Sequence, residues 1–137
     1  MSQIKWVAVS SSGKDISSGI DPRFGRCSYF LIVDTETMAF EAVPNTGVST
    51  AHGAGVQAAQ LVASKGVKVV LTGNVGPNAY NALRSSSIEV ITGVSGTVEE
   101  SIGRFKRGEL KATKEPTVGG HFGTGGRGGG SGRRQRF

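Results

Sequence analysis

Val70-Leu71-Thr72-Gly73-Asn74-Val75-Gly76-Pro77 decides the fold, because it returns twenty residues later as Val90-Ile91-Thr92-Gly93-Val94-Ser95-Gly96-Thr97. Each copy runs from an apolar strand end through Thr-Gly-x-x-Gly into the start of a helix. The run at 67–71, apolar except for Lys68, suits a strand buried on both faces of a parallel sheet. Two copies are too few and too short for a solenoid. They read as two equivalent strand-to-helix turns on neighbouring parallel strands.

Working outward, residues 77–85 and 97–106 follow these turns as helices, and Thr97 with Glu100 fits a capping box. Gly108 ends the second of them. Residues 88–91 supply the strand between. Upstream, residues 54–65 form a helix with Val56, Ala59, Leu61 and Val62 as its buried stripe, stopped by Gly66. Residues 4–10 are apolar enough for a buried strand. Residues 11–27 form a long loop punctuated by Gly13, Gly19, Pro22 and Gly25. Residues 29–33 and 38–43 read as two strands joined by the turn at 34–37, hence an antiparallel hairpin. The second of these alternates: Met38, Phe40 and Ala42 stand against Ala39, Glu41 and Val43. The order β-β-β-α-β-α-β-α predicts an α/β fold, a mixed sheet with helices on both faces.

The chain has 137 residues, enough for one domain and a core of its own. Its formal charge is +6, but Arg127, Arg133, Arg134 and Arg136 lie in a Gly/Arg-rich tail with no acid, which leaves +2 for residues 1–118. A domain of 1–118 and a disordered tail of 119–137 are expected. The basic residues of the domain are scattered, unlike a nucleic-acid face. With one cysteine there is no intrachain disulfide, and no apolar run approaches bilayer length, so a cytoplasmic protein without membrane contact is expected.

Three features could carry chemistry. The two glycine turns place backbone N–H groups at helix N-termini, where anions are favoured; strand-to-helix turns also need glycine for shape alone. Neither turn is a phosphate-binding loop of the Gly-Lys-Ser/Thr kind. Next, Asp21-Pro22-Arg23-Phe24-Gly25-Arg26-Cys27 sets a thiol beside two guanidinium groups, which favours thiolate. The alternative is a small buried hydrophobe at the start of a strand. Last, His52 and His121 are flanked by glycine or small residues and lack partners at zinc-site spacing. The first strand has no acid to hold catalytic metal ions, which excludes a two-metal nuclease. One cysteine cannot supply the four thiolates of a standard iron–sulfur site.

These elements together resemble the dinitrogenase iron–molybdenum cofactor biosynthesis family, in particular its small stand-alone members. The matching stretches are residues 4–13, 21–27, 54–59, 72–79 and 92–98, with Gly119-Gly120-His121-Phe122-Gly123 beyond them. The resemblance implies a ribonuclease H-like sheet of five strands in the order 3-2-1-4-5, with strand two antiparallel. It implies a carrier or scaffold and not an enzyme. The cargo would be an anionic metal–sulfur cluster, iron–molybdenum or another molybdenum or iron–sulfur cluster, weakly held. Cluster donor and acceptor proteins would be its partners, and the chain a monomer or weak dimer. The expected cofactor-binding residues are Arg23, Arg26, Gly73, Asn74, Gly76, Gly93 and Gly96. The expected metal ligands are Cys27, His52 and His121. Relatives that serve nitrogenase often carry His where this chain has Arg23, which can pair with sulfide or molybdate oxygen by charge. Two rival readings stand: RNA binding through the Arg/Gly tail, and a phosphate- or nucleotide-responsive regulator using the same turns.

Overall fold

The computed structural model describes residues 6–46 and 53–117. Five strands form one sheet: β1 (Trp6–Ser11), β2 (Tyr29–Asp34), β3 (Phe40–Pro44), β4 (Val69–Leu71) and β5 (Glu89–Ile91). Their order is β3-β2-β1-β4-β5. β2 runs antiparallel to β1 and β3, whereas β1, β4 and β5 run parallel. This is the expected mixed sheet. Three helices complete it: α1 (Ala54–Ser64), α2 (Pro77–Ser85) and α3 (Val98–Lys106).

Strand alternation divides the core in two. Ala8, Phe30, Ile32, Val70 and Val90 face α1 and α2, where they meet Ala58, Val62 and Leu83. Val7, Val9, Leu31, Val33, Val69 and Leu71 face α3 and pack on Val98 and Ile102. Burying such aliphatic side chains stabilises by about 1.5–3 kcal/mol each. No helix among the described residues is long and apolar enough to cross a membrane.

The elements begin and end where local chemistry says they should. Gly66 and Gly108 follow α1 and α3 with φ of +76° and +74°, the left-handed region. Thr97 and Glu100 make the capping box of α3, the hydroxyl accepting from Glu100 N–H and the carboxylate from Thr97 N–H.

Three local expectations shift. Met38 is outside β3, at φ +66°, because its N–H closes the turn onto Asp34 C=O. The alternation predicted for β3 is blurred, with Phe40 and Glu41 both exposed, because β3 is an edge strand. On α1 the buried residues are Ala54, Ala58, Ala59 and Val62, while Val56 and Leu61 are half-buried. The long first loop also contains a 3-10 turn, Phe24–Arg26, that the sequence did not suggest.

After α3 the chain turns back along the free edge of β5. Thr113 N–H donates to Val90 C=O, and Thr117 N–H to Val75 C=O. Thr113 Oγ1 accepts from Thr92 N–H and Thr117 Oγ1 from Val75 N–H. Residues 113–117 thus strap both glycine turns from outside.

Candidate functional site

A pocket of about 360 Å³ lies beyond the carboxyl end of β4, beside the loop that follows β1. Its walls are residues 23–26 of the first loop, 53–56 at the start of α1, Asn74, and 76–79 at the start of α2. Ligands of open α/β sheets bind at this edge.

Close backbone contacts bring these pieces together, and they require glycine. A Cβ on Gly25 would lie 2.9 Å from Gly55 Cα, and one on Gly55 would lie 3.0 Å from Ala79 Cβ. The 3-10 turn, α1 and α2 therefore meet with no side chain larger than the Ala79 methyl between them. A Cβ on Gly73 would lie 2.7 Å from Pro22 Cα. That contact lets Asn74 N–H donate to Pro22 C=O at 2.7 Å and Phe24 N–H to Asn74 C=O at 3.2 Å. Gly73 is thus a packing residue that seats Asn74 at the pocket, and does not itself line it.

The electrostatics favour anions. The N-cap residues of α1 and α2 are Gly53 and Gly76, and neither helix has a side-chain cap or an acid in its first turn. The first turns of both helices line the cavity and bring the positive ends of their dipoles to it, although Pro77 at the start of α2 has no N–H and leaves that role to Asn78 and Ala79. Arg23 and Arg26 line the same cavity. Hydrogen bonding to Asp21, then its charge, holds Arg23 firmly protonated.

The structure unites four of the expected site residues, Arg23, Arg26, Asn74 and Gly76, at this pocket. Gly93 and Gly96 are elsewhere. Gly96 C=O accepts from Ile20 N–H, Thr97 pairs with Gly19, and the α3 N-terminus is already capped by its own box. The two turns are alike in sequence and joined by Gly93 N–H to Gly73 C=O at 2.8 Å, but only the first opens on the cavity.

Cys27 departs further from expectation. It is 0% exposed and packs with Phe24 and Phe30. Burial pushes its thiol up to about 12, and the Asp21 charge adds to the rise. Arg23 is turned to Asp21, so it does not create a thiolate. The thiol lies under the site as a neutral core group, and is not presented as a ligand. His52 and His121 fall outside the described residues, as does the tail.

Two further residues shape the site: Asn45, which no motif marks, and Asp21, whose loop stands out in the sequence for its thiol and arginines. Asn45 is buried, and its Nδ2 donates to Gly25 C=O at 3.2 Å and to Cys27 C=O at 3.0 Å. It clamps the 3-10 turn. Asp21 grips Arg23 through its carboxylate. Among the described residues no three of His, Cys, Asp and Glu come together as a metal site.

A family model described as dinitrogenase iron-molybdenum cofactor matches residues 5–108. The chain belongs to this family. Solved structures of similar chains share its shape. The apo form of the orange protein from Desulfovibrio gigas is 39% identical, with a TM-score of 0.81 over 85% of this chain and 99% of that one. A Thermotoga protein proposed to be a NifB protein is 42% identical, with a TM-score of 0.69 over 79% of this chain and 92% of that one. An uncharacterised protein of Methanocaldococcus jannaschii is 34% identical over 95 residues, 67% of this chain and 80% of that one. Membership in the cofactor family associates the chain with metal-cluster chemistry of the iron–molybdenum kind.

Proposed function

We propose that this protein is a non-enzymatic carrier or scaffold for an anionic metal–sulfur cluster, with cluster donor and acceptor proteins as its partners. One observation carries the reading: two helix N-termini without side-chain caps and two arginines converge on one cavity of about 360 Å³. Partial positive charge from aligned peptide dipoles adds to the guanidinium charges. Sulfide-rich clusters are anions, and N–H donors suit their sulfur and oxygen edges.

The donor set fits a preassembled anion better than a bare cation. Arg23 and Arg26 are poor metal ligands, and Cys27 is buried and protonated. Holding by charge and hydrogen bonds leaves few bonds to break on release, as a carrier needs. Phe24, Val56 and Pro77 supply apolar wall between the cationic groups.

The test is anaerobic reconstitution of the full chain with molybdate, iron and sulfide, read by visible absorption and metal analysis after desalting. The wild type is expected to retain colour and metal, and Arg23→Ala/Arg26→Ala to lose most of both. No retention by the wild type, or equal retention by the variant, overturns the reading. Heat on titration with nucleotides in place of cluster components would instead favour the nucleotide-responsive reading.

A further inference from the structure

We propose that Asp21 is the positioning residue for anion capture, fixing the Arg23 guanidinium at the pocket and leaving one edge of it open to the ligand. The inference rests on the anion-carrier reading above.

The backbone of Asp21 is anchored first. Its N–H donates to Ser10 C=O at 3.0 Å, and its C=O accepts from Ser10 Oγ at 2.7 Å. Ser10 Oγ is also 2.8 Å from Thr72 Oγ1. Ser10 and Thr72 are fully buried at the ends of β1 and β4. Asp21 is therefore held to the two central parallel strands.

Its carboxylate then reaches Arg23 twice over. Oδ1 accepts from Arg23 N–H at 2.9 Å and from Nε at 3.2 Å, and Oδ2 accepts from Nη2 at 3.3 Å. The Asp21 side chain is 9% exposed and that of Arg23 67%. This asymmetry is what matters. A pair of exposed ions gains little, because both long side chains must be ordered. Here the fold has already ordered one partner. A guanidinium has five N–H donors, so taking one on Nε and one on Nη2 leaves three, two of them on Nη1. That end-on edge pairs with two oxygens or sulfurs of one anion. An arginine fixed in advance loses less freedom on binding.

A double-mutant cycle on molybdate binding, followed by calorimetry of the full chain, tests this. Asp21→Asn keeps an oxygen that accepts from Arg23 N–H, so the loop is expected to retain its shape. It should weaken molybdate about tenfold when Arg23 is present and less than about twofold in the Arg23→Ala background. Equal weakening in both backgrounds overturns the proposal, since Asp21 would then act only on the fold. A ligand-free measurement separates this from the carrier reading: NMR relaxation of the Arg23 Nε–H group. The group should be ordered in the wild type and mobile in Asp21→Asn. Equal mobility in both overturns the positioning role even if molybdate binds. The carrier reading itself stands or falls on the cluster reconstitution, and should the wild type take up no molybdate, the Nε relaxation alone decides Asp21.

Discussion

Cys27 packs with Phe24 and Phe30 beneath the pocket, and its thiol titrates near 12, up from an ordinary 9.0. An acid whose pKa rises on folding keeps its proton longer in the native state. Stability is therefore fully present below about pH 9 and falls as pH climbs toward about 12, by at most about 1.4 kcal/mol per pH unit. Denaturant midpoints measured from pH 8 to 11 should show this slope in the wild type and a flatter one in Cys27→Val. Thiol reagents at pH 8 should label the native protein at least tenfold more slowly than the unfolded chain. Rapid native labelling would mean that the thiol is within reach after all. Gly25 is the second decisive residue. Its Cα faces Gly55 so closely that Gly25→Ala should cost about 1–3 kcal/mol in chemical denaturation. An unchanged midpoint would show that the two backbones can part. Neither property is legible in the local sequence. Asp21-Pro22-Arg23-Phe24-Gly25-Arg26-Cys27 advertises charge beside a thiol, but the 3-10 turn sends the arginines outward and the sulfur inward.

At the scale of elements, the three helices end alike but begin differently. α3 opens on Thr97 with its capping box and carries Glu99 and Glu100 in its first turn. α1 and α2 open on glycine, with no acid. The difference sorts one structural start from two that are free to meet an anion. Gly76 has φ −80° and ψ 171°, which any residue can adopt. Gly76→Asp should therefore leave the protein as stable or raise its stability by a few tenths of a kcal/mol. It should also abolish most cluster retention in the reconstitution assay. Full retention with unchanged stability would remove the α2 N-terminus from the site. The strap at 113–117 belongs to this scale too. It attaches through several polar bonds, Thr117 among them. Thr117→Val should speed amide exchange at Val75 about tenfold and leave Leu83 protected; unchanged exchange at Val75 would mean that other contacts hold the strap.

For the whole molecule, both core clusters draw on residues between Val7 and Leu110. Deleting residues 119–137 should thus shift the thermal midpoint by less than about 2 °C. A larger fall would make the tail part of the fold. The element order, sheet class and helix ends could be read from the chain, because periodicity, capping residues and punctuating glycines are local and act within a few residues. The repeated Thr-Gly-x-x-Gly also pointed to the sheet edge at which the first of the two turns lines the cavity. The site itself was only half legible. Arg23, Arg26, Asn74 and Gly76 converge, but Gly96 is claimed by Ile20, Gly93 is bonded to Gly73 away from the cavity, and Cys27 lies in the core. Sequence alone determined which turns exist. Only tertiary structure decided which turn faces a cavity, because that depends on what packs over each one. Pro22 lies on Gly73 and leaves the α2 N-terminus open, whereas Gly19 pairs with Thr97 and the capped start of α3 does not line this cavity. Two turns with one local chemistry thus came to differ through contacts made some fifty to eighty residues away along the chain.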